Sequence, residues 1–220
     1  NYRTGGRIYS SPAVDDGIVY VGSYDRHLHA VWADDGSPVW QYDAQSNIFA
    51  SPTVANGVVY VSGSVDKTLH AVDARDGGDA LWKYETDASV YGSPAVEGGF
   101  VYVGSYDKHV RKLDASTGDL VWSYKTNANV FSSPTVVNGV VYVGSADRHL
   151  YALDADDGSL LWSFRTGGAV HASPTVVNGI VYISSYDDTV YALDADDGSL
   201  VWELKPGWDL LWSSPTISDG

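Results

Sequence analysis

Six histidines and a run of aspartates are the side chains of this chain suited to metal or acid–base chemistry. His27 and His29 stand at i and i+2, which sets two rings on one face of a strand. Two ligands are too few for an ion. His27, His109 and His149 recur at one place in a repeated pattern, and His29 and His70 at another. Equivalent places in different repeats lie apart, so the histidines are read as decoration of a sheet surface. His171 stands alone before a Ser-Pro pair. Asp154, Asp156 and Asp157 before Gly158 have the composition of a calcium loop, as do Asp194, Asp196 and Asp197 before Gly198. An EF-hand loop needs Gly at position six and Glu at position twelve. Here position twelve is Arg165 or Lys205, and the copy Ala115-Ser116-Thr117-Gly118 has fewer carboxylates. These runs read as solvated hairpin turns. There is no Cys, hence no thiol nucleophile, disulfide or zinc–thiolate site. No Gly-x-Ser-x-Gly elbow or phosphate-cradling Gly loop occurs. No catalytic, cofactor-binding or metal-binding residue is expected.

Binding chemistry is better represented. Three residues before each framed Pro stand Tyr9, Phe49, Tyr91, Phe131, His171 and Trp212. Two residues further back stand Arg7, Asn47, Ser89, Asn129, Ala169 and Leu210. Strand alternation projects both sets to one face. Aromatic rings with a few amides suit a peptide strand or a sugar, and the same rings would also fill space between neighbouring units. The candidate binding residues are Arg7, Tyr9, Asn47, Phe49, Tyr91, Asn129, Phe131, His171 and Trp212.

These positions are held by a repeat. Framed prolines at Pro12, Pro52, Pro94, Pro134, Pro174 and Pro215 are spaced by 40, 42, 40, 40 and 41 residues. A fixed period of this length marks one supersecondary unit per copy, unable to bury its apolar face alone. In the copy from Val130 to Arg165, Val130–Val136 reads as a first strand, and Asn138-Gly139 as a tight hairpin turn. Val140–Val143, Leu150–Leu153 and Leu160–Phe164 read as three further strands, joined by polar turns. The expected fold is all-β, a β-propeller of four-stranded antiparallel blades. The expected blades are residues 7–46, 47–88, 89–128, 129–168 and 169–208. Residues 1–6 are the outer strand of a preceding blade, and 209–220 begin a further one. The first strand, with its small residues and Pro, suits the crowded axis of a blade. The fourth carries Trp40, Trp82, Trp122, Trp162 and Trp202, read as rings that dock blade on blade.

Composition narrows the partners. The 28 acidic residues against 13 basic ones give a net charge of −15. A basic footprint for nucleic acid is missing, and an anionic membrane surface is disfavoured for the same reason. No long apolar run is present, so no membrane insertion by this segment is expected. Glu occurs only at Glu85, Glu97 and Glu203. An Asp-rich, Lys-poor surface suits turns, and it also suits a haloarchaeal-type protein adapted to salt.

Val141-Tyr142-Val143-Gly144-Ser145, then Leu150-Tyr151-Ala152-Leu153-Asp154-Ala155, an acidic Gly turn and Leu161-Trp162 together resemble the PQQ-like propeller repeat. That repeat occurs in quinoprotein alcohol dehydrogenases, in an outer-membrane assembly lipoprotein and in sensor domains of bacterial kinases. Its usual Asp-Gly turn between the second and third strands is altered, with Arg26, Lys67, Lys108, Arg148 or Asp188 in place of Gly. The dehydrogenases' quinone site has a calcium and a disulfide of adjacent cysteines. Without Cys no cofactor is expected here, and PQQ with calcium is the alternative. The resemblance implies a non-catalytic scaffold binding a protein, peptide or sugar at the channel rim, outside the cell or at its surface. The alternatives are a fragment of a PQQ-dependent dehydrogenase and a ligand-sensing domain of a larger protein. The outer strand at the start and the extra first strand at the end imply a longer propeller, completed by missing blades or by a second copy.

Overall fold

The computed structural model describes residues 1–205 and 214–216. Among these every regular element is a strand, and no helix is long and apolar enough to cross a membrane. The first blade holds β1 (Ala13–Asp15), β2 (Ile18–Gly22), β3 (His27–Trp32) and β4 (Pro38–Asp43). The second holds β5 (Thr53–Ala55), β6 (Val58–Ser62), β7 (Thr68–Asp73) and β8 (Trp82–Glu85). The third holds β9 (Ala95–Glu97), β10 (Phe100–Gly104), β11 (His109–Asp114) and β12 (Leu120–Lys125). The fourth holds β13 (Thr135–Val137), β14 (Val140–Gly144), β15 (His149–Asp154) and β16 (Leu160–Arg165). The fifth holds β17 (Thr175–Val177), β18 (Ile180–Ser185), β19 (Thr189–Asp194) and β20 (Leu200–Leu204). Each set forms one four-stranded sheet in chain order, the meander of a β-propeller blade. Chain packing divides into two compact units: Asn1–Val101 with Leu113–Leu120, and Tyr102–Lys112 with Val121–Gly220.

The turns follow from residue type. Val137 pairs with Val140, leaving Asn138 and Gly139 as a two-residue loop at φ 52° and 77°. Both central residues of a type I′ turn need positive φ, which Asn tolerates and Gly adopts freely. The turn after each third strand is capped by its own acid. Asp154 Oδ1 accepts from the Asp156 N–H at 2.7 Å, and Asp157 Oδ1 accepts from the Ser159 N–H at 2.8 Å. Asp154 and Asp157 are therefore committed to local backbone donors, as Asx turns require.

The core lies between the faces of successive blades. Tyr20, Leu28, Ala30 and Trp40 of the first blade pack on Val59, Val61 and Val72 of the second. Tyr142, Leu150, Ala152 and Trp162 of the fourth pack on Val181, Ile183 and Leu193 of the fifth. Each joint is pinned by a tryptophan. The indole N–H donates to the next blade's alanine carbonyl: Trp40 to Ala74 at 3.1 Å, Trp82 to Ala115 at 2.9 Å, Trp122 to Ala155 at 3.0 Å and Trp162 to Ala195 at 3.0 Å. Below the ring sits a glycine. A Cβ on Gly158, whose φ is +75°, would come 2.6 Å from Trp122. Trp202 packs beside Tyr182 with ring centroids 5.9 Å apart and remains 43% exposed.

The first strands are tied as well. The Ser11 N–H donates to Ser51 Oγ, Ser51 to Ser93, Ser133 to Ser173 and Ser173 to Ser214, all within 3.2 Å. Accordingly β1 lies against β5, β5 against β9 and β13 against β17.

Candidate functional site

The chain reaches each new blade through an extended crossing from the fourth strand to the next first strand. A backbone bond fixes this crossing to the turn after the second strand. The Tyr24 N–H donates to the Arg7 carbonyl, Ser64 to Asn47, Ala146 to Asn129 and Tyr186 to Ala169. Side chains two residues further on are thereby held at one end of the blades.

In the first unit Tyr9 stacks on Phe49 with centroids 5.6 Å apart and planes inclined by 23°. Phe49 meets Tyr91 edge to face at 5.9 Å. Tyr24 packs on Tyr9 at 4.9 Å, and Arg7 Nη1 donates to the Tyr9 hydroxyl at 3.4 Å. Tyr9 is 51% exposed, and Phe49 and Tyr91 are half-buried. The Tyr9 hydroxyl beside it raises the pKa of the Arg7 guanidinium, so a fixed positive charge stands next to the exposed Tyr9 ring. Asn47 is half-buried in the same crossing.

In the second unit Phe131 stacks on His171 at 5.5 Å and 22°, and Tyr106 packs on Phe131 at 6.0 Å. His171 Nδ1 and the Tyr186 hydroxyl are hydrogen-bonded at 3.1 Å, with ring centroids 4.6 Å apart. Burial pushes the His171 imidazole below its ordinary pKa and raises the Tyr186 phenol. Asn129 is half-buried beside this group. Trp212, with Trp208 and Leu210, lies outside the described residues.

Each unit thus brings its own predicted residues into one aromatic row. The sequence reading missed Tyr24, Tyr106 and Tyr186, which complete the rows. All three follow the serine of the turn after the second strand, as Ser23-Tyr24, Ser105-Tyr106 and Ser185-Tyr186. That recurrence was the available signal.

The histidines require a correction. His29 and His70 are not surface decoration: each is only 2% exposed. His70 Nε2 donates to Asp66 at 2.8 Å, and its Nδ1 accepts from the Tyr42 hydroxyl of the preceding blade at 3.0 Å. His29 Nε2 donates to Asp25 at 3.1 Å, and its Nδ1 accepts from Tyr2 at 2.8 Å. Arg111, Tyr151 and Tyr191 take the same place opposite Asp107, Asp147 and Asp187. Burial acts to raise Asp25, but donors from His27, His29 and Gly5 outweigh it and hold the carboxyl below its usual range. Burial and Asp187 together push the Tyr191 phenol up to about 12. A buried polar group must be paired, and one varied side chain per blade meets that need. The surface reading failed because alternation alone does not say which face of a blade meets its neighbour.

Among the described residues no three His, Cys, Asp or Glu side chains converge to hold an ion.

The family model described as the outer membrane protein assembly factor BamB matches residues 3–89, 64–133 and 131–211. The chain belongs to this family. No curated protein matches it in sequence. Among solved structures it is similar to BamB from Moraxella catarrhalis, at 23% identity and TM-score 0.72, covering 89% of this chain and 72% of that one. It is also similar to the quinohemoprotein alcohol dehydrogenase ADHIIG from Pseudomonas putida HK5, at 19% identity and TM-score 0.77, covering 93% of this chain and 43% of that one. The WD40 β-propeller domain of Doa1 matches at 20% identity and TM-score 0.78, covering 96% of this chain and 72% of that one. At these identities the likeness to solved structures is one of fold.

Proposed function

We propose that the chain is a non-catalytic propeller scaffold that binds an extended protein segment along its aromatic rim, at the cell surface of a salt-adapted organism. The observation that carries this reading is the Tyr9–Phe49–Tyr91 row with Arg7 beside it. Tyrosine and arginine on a rigid frame, here the exposed Tyr9 with Arg7, are the residue types that dominate binding energy at protein interfaces. Short crossings pinned by backbone bonds lose little entropy when a partner docks. The family description, an outer membrane protein assembly factor, supports a protein partner and a place at the cell envelope. The net charge of −15 supports salt adaptation.

A quinone–calcium centre of the dehydrogenase kind is not favoured by the residues present. The chain has no Cys, Asp154 is taken up by its own turn and Asp66 by the joint with His70, and no three acidic or histidine side chains converge among the described residues.

The test uses immobilised protein and a cell-envelope extract. The reading expects a protein retained by the wild type and lost with Tyr9→Ser and Phe49→Ser combined. Retention of the same protein by both forms would sink it. Dye reduction on titration with quinone and calcium would replace it with the enzyme reading. Selective capture of oligosaccharides on a glycan array would replace the protein partner with a sugar.

A further inference from the structure

The two ends of the blades in the second unit differ in charge. At the rim end, Asp107, Asp147, Asp187 and Asp188 are interleaved with Lys108, Lys125, Arg148 and Arg165. At the other end stand the Asn-Gly hairpins and the turns that follow β15 and β19. These turns carry Asp154, Asp156, Asp157, Asp194, Asp196 and Asp197.

A cavity of about 350 Å³ opens at this acidic end, lined by Val137, Val140, Tyr142 and Leu161 of the fourth blade with Val176 and Ala195 of the fifth. Asn138, Asn178, Gly179 and the exposed Asp196 complete the lining. Tyr142 is 3% exposed and donates from its hydroxyl to the Ala195 carbonyl at 3.2 Å, so it forms a fixed wall. Burial, then the Asp196 and Asp194 carboxylates, raise the Tyr142 phenol above its ordinary value. The first unit repeats the socket at about 260 Å³ between Asn56, Val58 and Tyr60 of the second blade and Gly99, Ala115 and Ser116 of the third. There Ser116 stands where the second unit has Asp196.

A socket with apolar walls and Asp196 at its edge, on the Asp194–Asp197 turn, favours an occupant that is apolar at its tip and positive at its flanks, because potentials across an interface must be complementary. We propose that this end of the second unit docks a cationic polypeptide segment. One aliphatic side chain seats between Val140, Leu161 and Val176, and its flanking lysines or arginines face the Asp194–Asp196–Asp197 turn. The surface is separate from the aromatic rim, so either can fail without the other.

The probe is a fluorescent peptide, Lys-Lys-Leu-Lys-Lys, titrated by anisotropy in low-salt buffer, with Lys-Lys-Ser-Lys-Lys and Glu-Glu-Leu-Glu-Glu as comparisons. Saturable binding of the leucine peptide is expected, about tenfold tighter than the serine peptide, with none for the acidic one. Asp196→Lys should weaken it about fivefold, and Val176→Phe should abolish it by filling the socket. Leu161 is 48% exposed, so Leu161→Ser removes an apolar wall without threatening the core and should weaken binding about threefold. Equal binding of the leucine and serine peptides would reduce the site to a general acidic surface and overturn the proposal. So would the lack of saturable binding, or unchanged affinity in the folded Leu161→Ser protein.

Discussion

At Arg26, Lys67, Lys108, Arg148 and Asp188 the backbone is left-handed, with φ between 60° and 76°. These are the five places where the resembled repeat has Gly. The fold therefore keeps the glycine conformation without the glycine, at a steric cost of about 1–2 kcal/mol per position. Gly regains part of that in unfolded-chain entropy, so the net gain is smaller. Arg148→Gly and Lys108→Gly, at exposed side chains, should each raise unfolding free energy by about 0.5–1 kcal/mol in urea titrations. An unchanged or lower midpoint would show that the side chains matter more than the turn. His171 gives a pH signature. Its folded pKa lies below the ordinary imidazole value of 6.5, so the unfolded chain binds the extra proton first. Its stability contribution is complete above pH 6.5 and falls as pH drops through the folded pKa. The loss of urea midpoint between pH 7.5 and pH 5 should be smaller in His171→Phe than in the wild type. That Tyr9, Phe49 and Tyr91, and Phe131 and His171, fall in rows was legible because they vary inside a fixed frame. The buried roles of His29 and His70 were not, since burial here depends on which blade face meets the next.

A joint between blades is a tryptophan laid over a glycine, with its N–H spent on an alanine carbonyl. Trp122→Ala would empty a largely buried site and remove that bond, costing about 3–5 kcal/mol. Gly158→Ala adds one methyl group, yet it meets both a left-handed φ and the Trp122 ring at 2.6 Å. The expected loss is about 2 kcal/mol or more, read as a fall in thermal midpoint. The double variant Trp122→Ala with Gly158→Ala should lose less than the two single losses combined, because the clash partner is gone. Full additivity would mean that the ring and the glycine do not share a joint. The tryptophans were legible from their period. Their acceptors were not, because Ala74, Ala115, Ala155 and Ala195 are chosen for small size and expose only backbone.

Across the whole molecule the charge is spent unevenly. The Asp-rich turns satisfy their own backbone, so the sequence reading of solvated turns agrees with the hydrogen bonds observed, and the acids remain close to one another on the outside. Mutual repulsion at a net charge of −15 should be relieved by screening. The thermal midpoint is expected to rise steadily from 0.1 M to about 3 M KCl, with a Debye length falling to about 3 Å at 1 M. Equal midpoints at both ends of that range would refute salt adaptation. Fold class and strand order were written in the repeat itself, while the sockets at the hairpin end depend on how two blades meet and had no linear signature. The serine ladder has one more implication. Because the Ser11, Ser51, Ser133 and Ser173 N–H groups each donate to a serine hydroxyl one period further on, the same coupling recurs at four junctions. Genetic duplication of a single period would deliver a segment already compatible with both neighbours, so lineages of this fold can change length in whole blades without inventing a new junction.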